Sequence, residues 1–241
     1  MVHVHARNDD GTPTYRPEVY QTIFEGIRKW CPELAICASC SGRNWPEFEK
    51  RAAVIELKPD LCSLTLSSLN FSQQASVNEP QIIQQLAEKM KQHGVIPELE
   101  CFDMGMINYG LYLIRKQFLD GPYYWNLLFG NIAGFQPTFS QIGAALQEIP
   151  YEHFISLAGL GQHQLPVNAL AIAMGYGVRV GLEDNIWWDQ QRSRKCTNLE
   201  LVERIHHLME LHGATLMTAD DLRRQGFANK QKQLHTETSR P

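Results

Sequence analysis

No stretch of this chain stays apolar for the roughly 18 residues that a membrane-spanning helix needs, so no transmembrane segment is expected. A signal peptide is not expected either. The N-terminus reads Met1-Val2-His3-Val4-His5, with no basic segment ahead of an apolar one. There is no basic excess: Lys plus Arg total 22 against 26 Asp plus Glu, for a net charge of -4, so a nucleic-acid footprint is missing. Six cysteines among 241 residues form no disulfide framework, and a reducing cytoplasm is the expected compartment. Cys37-Ala38-Ser39-Cys40 spells CxxC without a second copy. On a strand, positions 37 and 40 face opposite ways, so both read as buried thiols. Gly159, Gly161, Gly175, Gly177 and Gly181 make no GxGxxG, which removes the dinucleotide fingerprint. No low-complexity linker divides the chain.

What remains is an ordinary globular composition, 44% apolar and 20% charged, long enough for one large core. Short β-rich runs alternate with longer amphipathic ones. Strands are expected at 2–6, 34–39, 61–66, 95–100, 124–130, 153–158 and 177–182. Helices are expected at 17–30, 46–57, 79–92, 105–118, 138–147, 164–174 and 198–212. In the run 79–92, Ile82, Ile83, Leu86 and Met90 line one side, Pro80 suits a first turn and Gly94 a stop. Strands recur about every 25–35 residues, the size of a βα unit. The regular order argues for a parallel sheet with crossover helices. The expected fold class is therefore α/β, a (β/α)8 TIM-type barrel lacking its first β/α unit, with a doubly wound open sheet as the alternative. A single barrel domain is expected over 1–228, and a flexible polar tail over 229–241.

In such a fold, chemistry sits where strands end and βα loops begin. His3 and His5, two apart on the first strand, point to one side and suit a shared divalent metal. Alone, the pair is equally compatible with two half-exposed histidines. In the run 177–185, Arg179, Gly181 and Glu183 alternate to one face. An arginine turned into a barrel needs a partner or a substrate. Glu183 completes a two-imidazole, one-carboxylate set with an open position, the catalytic zinc pattern, unless it merely pairs with Arg179. Glu98 and Glu100 share a face and need a metal, an arginine or a proton. Ser39 and the hydroxyls of Ser63 and Thr65 suit a substrate carboxylate or carbonyl, or simple packing. The turn Ser156–Gln162 offers N–H groups for an anion or serves as a tight βα turn. Trp187 and Trp188 are expected to wall the pocket or an interface.

These residues resemble the β-keto acid cleavage enzymes. The matching stretches are VHVHARNDDGTPTYRPEVY at 2–20, CSGR at 40–43, PELECFDMG at 97–105, FISLAGLGQHQLP at 154–166 and MGYGVRVGLEDNIW at 174–187. The resemblance implies a zinc-dependent (β/α)8 barrel that takes a β-keto acid and acetyl-CoA and yields acetoacetate and a new acyl-CoA. It implies zinc ligands at His3, His5 and Glu183. It puts Ser39, Ser63 and Glu100 around the keto acid, with Ser63 where threonine is usual. It makes Arg179 and Asp184 the pair that abstracts the substrate proton, with Glu100 also among the catalytic groups and Arg179 also touching substrate. A homo-oligomer is expected. The family opens with a strand and helix ahead of the HxH strand, ending in an acidic pocket residue, and neither is found here. The expectation is a truncated version, poorly soluble or weakly active, with a gap between strands 2–6 and 177–182. A metal-dependent aldolase or lyase, or an inactive remnant, are the competing readings.

Overall fold

The computed structural model describes residues 1–227, so the tail expected over 229–241 lies outside the described residues. The chain begins on β1 (Val2–Val4), α1 (Pro17–Trp30), β2 (Ile36–Ala38), α2 (Phe48–Ala52) with a 3-10 turn (Ala53–Leu57), and β3 (Leu61–Thr65). A small hairpin follows, β4 (Leu69–Asn70) and β5 (Ala75–Ser76), then α3 (Pro80–His93), β6 (Ile96–Cys101) and α4 (Met104–Arg115). Next come β7 (Tyr124–Phe129), α5 (Phe139–Glu148), β8 (Phe154–Gly159), α6 (Gln164–Ala173), β9 (Gly177–Arg179), α7 (Asn198–Leu211) and α8 (Ala219–Arg224). Seven parallel strands form one sheet in the order β1-β2-β3-β6-β7-β8-β9, with β4-β5 apart as an antiparallel pair.

The sheet is curled into a half-barrel rather than closed. β1 and β9 are its two edges and share no ladder. Side chains nevertheless meet across the curl: His5, just past β1, reaches Glu183, just past β9, and Arg179 of β9 reaches Glu100 of β6. β2 and β3 are buried along their whole length, as expected for strands covered on both faces. α3 buries Ile83, Leu86, Ala87 and Met90 against the core, begins on Pro80 and ends at Gly94 with φ 67°, the left-handed cap that glycine adopts freely.

Four sequence expectations need correction. The run 46–57 is not one helix but a five-residue α-helix and a 3-10 turn. The last strand stops at Arg179 instead of 182, because Gln164 Nε2 donates to the Gly181 carbonyl and Leu182 N–H donates to Asn198 Oδ1, pulling the chain out of extension. The first strand likewise ends at Val4, so His5 sits beyond it. The β4-β5 hairpin and α8 were not expected. Both are too short for periodicity, although the reciprocal capping box of Thr218 and Asp221 marks the start of α8.

The hairpin is tied to the loop after β2 by one buried cation. Arg51 donates to the Cys40 carbonyl at 2.8 Å, the Val77 carbonyl at 3.4 Å and Asn78 Oδ1 at 2.7 Å. Gly42 lets that loop pass: a Cβ there would lie 2.4 Å from the Val77 oxygen and 2.8 Å from Arg51 Nη1. Gly42→Ala is expected to destabilise the fold by about 1–3 kcal/mol, the usual cost of overpacking. An unchanged melting temperature would contradict this packing.

Candidate active site

His3 is fixed from behind. Its Nδ1 lies 2.7 Å from Glu98 Oε2, and an ionised carboxylate only accepts, so Nδ1 donates and Nε2 is turned toward His5. Glu98 is itself held by Asn126 Nδ2 at 2.9 Å and the Cys37 thiol at 3.1 Å. Asn126 Oδ1 in turn accepts from Ser156, whose hydroxyl meets Tyr124. Burial opposes ionisation of Glu98, but His3 and Arg179 outweigh it and hold its pKa down near about 2. Burial also opposes a charged His3, yet the Glu98 carboxylate raises its pKa to about 9.

In front, His3 Nε2 faces His5 Nε2 at 3.3 Å, and His5 Nε2 lies 3.0 Å from Glu183 Oε1. The ligand atoms of these three residues all fall within 4.8 Å of one another. His3, Cys37 and Glu98 form a second group as close. That second group is buried and consumed by its own hydrogen bonds, whereas His5 and Glu183 open onto two cavities.

Arg179 gathers the acids. Its guanidinium lies 3.0 Å from Asp184, 2.8 Å from Glu183, 3.2 Å from Glu100 and 3.8 Å from Glu98. Four carboxylates around one guanidinium leave surplus negative charge, which a divalent cation at His3, His5 and Glu183 would balance. The donor set and this charge therefore fit a metal ion. Burial lifts the Asp184 pKa even though Arg179 works against it, and burial with the neighbouring Glu98 charge lifts Glu100. Burial, by contrast, opposes an ionised Glu183, but His5 and Arg179 hold its carboxyl well below the usual range.

The turn after β9 is what lets Glu183 and Asp184 both reach Arg179. On a straight strand Asp184 would face away. Asp184 N–H donates to the Gly181 carbonyl, and the Asp184 carbonyl accepts from Gly161 N–H at 2.7 Å. The glycine-rich turn after β8 thus spends an N–H on holding the site's own loop, not on an anion. Gly159 is required there, since a Cβ would lie 2.2 Å from the His163 carbonyl.

Two cavities flank the triad. The inner one, about 230 Å³, is bordered by Thr65, Glu100, Arg179 and Asp184; the outer one, about 460 Å³, opens past Arg7, Tyr15 and Trp45. Ser39, His5 and Glu183 border both. Ser63 borders neither: its hydroxyl accepts the Cys40 N–H at 3.0 Å. The register explains this, because Ser63 pairs with the deep Glu98 and Thr65 with Glu100, one layer nearer the mouth. Thr65 donates to Glu100 at 2.7 Å, so the hydroxyl beside the inner cavity is two residues further along the same face. Trp187 and Trp188 do not wall these cavities either; Trp188 is stacked by Arg194 and Arg204, at 4.6 and 4.2 Å.

The parallel β/α half-barrel gathers histidines, acids and a buried arginine at the carboxyl ends of its strands, where parallel α/β folds carry their chemistry. The chain belongs to the β-keto acid cleavage enzyme family, whose model matches residues 1–225. It is 34% identical over 224 residues to a 3-keto-5-aminohexanoate cleavage enzyme of Fusobacterium nucleatum, covering 92% of this chain and 81% of that one. It is 31% identical over 227 residues to a 3-oxoadipate:acetyl-CoA acetyltransferase of Cupriavidus necator, covering 92% and 79%. In fold it is similar to the apo structure of ObcA, with a TM-score of 0.80 at 19% identity. That match covers 95% of this chain, which spans 61% of the length of the ObcA chain. Relatives in this family are named as keto acid cleavage enzymes and acetyl-CoA-dependent transferases. No helix among the described residues is long and apolar enough to cross a membrane.

Proposed function

We propose that this chain exchanges acyl groups between a β-keto acid and acetyl-CoA, giving acetoacetate and a new acyl-CoA, in a zinc site held by His3, His5 and Glu183. The observation that carries the reading is the convergence of those three side chains beside the buried Arg179–Asp184 pair, between two cavities. In this reading the curled sheet is the larger part of a (β/α)8 barrel. Zinc bound there with an open position supplies Lewis-acid polarisation of the β-keto carbonyl.

The chain's own groups do the rest. Asp184 takes the proton from the carbon between the ketone and the carboxylate, and its burial favours that uptake. Arg179 keeps Asp184 aimed and prevents its permanent protonation. Ser39 and Thr65 offer hydroxyls beside the inner cavity to orient the keto acid, and Glu100, gripped by Thr65 and Arg179, closes its wall. Ser63 supports that wall through the Cys40 backbone.

Glu98 is a positioning residue in this account. Asn126 and His3 both donate to it, so Glu98→Gln must turn an amide N–H₂ toward one donor and lose that contact. Zinc affinity is expected to fall about 10- to 100-fold, as when other partners of ligating histidines are removed. Unchanged affinity by competition with a chelator would remove Glu98 from the metal's support.

The reading is tested by incubating the purified protein with zinc, acetyl-CoA and a panel of β-keto acids, and searching by mass for new acyl-CoA species. Product is expected only when both substrates are present. Keto acid consumed without acetyl-CoA would favour an aldolase or lyase. No turnover on any acid would favour a remnant that binds metal.

A further inference from the structure

Branched apolar side chains usually fill the inside of a parallel barrel, yet β6, β7 and β8 carry a string of polar ones across this core. Asn126 is fully buried, and Glu98 and Ser156 are each 2% exposed. The register brings them together. Glu98 pairs with Tyr124 across β6 and β7, and Asn126 pairs with Ser156 across β7 and β8. Tyr124 and Asn126 are two apart on one strand, so all four side chains share the inner face. Buried polar groups cost stability unless they are satisfied, and a fully apolar core would avoid that cost.

The direction of each bond follows from the carboxylate end. Glu98 only accepts, so Asn126 turns its amide nitrogen to Glu98 Oε1, at 2.9 Å. Asn126 Oδ1 then faces Ser156 and accepts its hydroxyl at 3.2 Å. That uses the single Ser156 hydroxyl hydrogen, so the 2.8 Å contact between the two hydroxyls runs from Tyr124 to Ser156. Burial and the Glu98 charge both push the Tyr124 pKa up, which keeps it a donor. The bonds thus all point one way, from the start of β7 to the carboxylate behind His3. With Oε1 taken by Asn126, Oε2 is left for His3 Nδ1, at 2.7 Å, and for the Cys37 thiol.

We propose that Asn126, Ser156 and Tyr124 are positioning residues for the metal site: their one-way chain of donors pins Glu98 Oε1, so that Oε2 fixes the His3 ring and aims its Nε2 at the metal. This inference rests on the reading of His3, His5 and Glu183 as the ligands. A packing role and a positioning role differ in one consequence. Packing supports the fold whatever stands at position 98, whereas positioning works only through the Glu98 carboxylate.

Zinc affinity, measured by competition with a chelator, tests it without any turnover. Tyr124→Phe removes one hydroxyl and is expected to weaken zinc binding about two- to threefold. Ser156→Ala frees the Asn126 amide to turn and is expected to weaken it about five- to tenfold. The discriminating variant is Glu98→Gln/Ser156→Ala. Since Ser156 acts through Glu98, its removal is expected to cost less than about twofold once the carboxylate is gone, so the two losses do not add. Losses that multiply as independent effects would make the chain a packing device and overturn the proposal. So would parent affinity in both Tyr124→Phe and Ser156→Ala. If Ser156→Ala fails to fold, Tyr124→Phe carries the same cycle in the parent and Glu98→Gln backgrounds. A parent protein that binds no zinc would defeat the ligand reading and this inference with it, whereas zinc bound but indifferent to the chain defeats this inference alone.

Discussion

Asp184→Asn is expected to keep the fold and its metal content and to lose about a hundred- to ten-thousand-fold in turnover, the usual contribution of a general base. The reasoning is steric and electrostatic. Asparagine has the same shape, and its carboxamide oxygen keeps the shorter of the two Arg179 contacts, 3.0 Å against 3.4 Å, while its N–H₂ gives up the longer one. The Asp184 backbone, which fixes the turn through Gly161 and Gly181, is untouched. What disappears is a site for the proton. The side chain is almost fully buried, and burial raises its proton affinity against the pull of Arg179. Normal turnover by the variant would move the base elsewhere. Glu100 stands next in line, its pKa also raised and its carboxylate beside the same cavity.

His3→Ala together with His5→Ala is expected to reduce bound zinc from about one equivalent to near none. The two imidazoles supply two of three ligands, and Glu183 alone is a half-exposed carboxylate already engaged by Arg179. Removing His3 also strands Glu98, a buried carboxylate, with Asn126, Cys37 and a distant Arg179 as its partners. The double variant is therefore expected to unfold at a lower temperature too. His5→Ala separates the effects: His5 is more exposed and does not contact Glu98, so metal is lost with little change in stability. Metal content unaffected by the double substitution would refute the ligand assignment.

Much of this site was legible in the sequence through spacing alone. The HxH pair, the Arg179–Glu183 alternation and the paired glutamates of 98 and 100 need only a period of two and a parallel sheet. Depth was harder to read. Ser63 and Thr65 share a face, and the choice between them is set by the stagger of β3 against β6, which no single strand reveals. Glu98 and Glu100 likewise look equivalent in sequence, but one sits a layer deeper and grips His3 while the other borders the cavity. Asp184 faces Arg179 because long-range hydrogen bonds from Gln164 and Asn198 end β9 early, and those partners lie far away in sequence. The Arg51 tether was missed for the same reason. Its acceptors come from the loop after β2 and from the hairpin, neither of which a periodic pattern announces.

The central claim is an acyl exchange, and an isotope tests it most directly. The zinc-loaded protein is given a β-keto acid and acetyl-CoA labelled with ¹³C at the acetyl carbonyl, and the products are separated and weighed. Exchange predicts that the label appears in acetoacetate and that the new acyl-CoA is unlabelled, because its acyl part comes wholly from the keto acid. Label found in the new acyl-CoA, or unlabelled acetoacetate, would contradict the account.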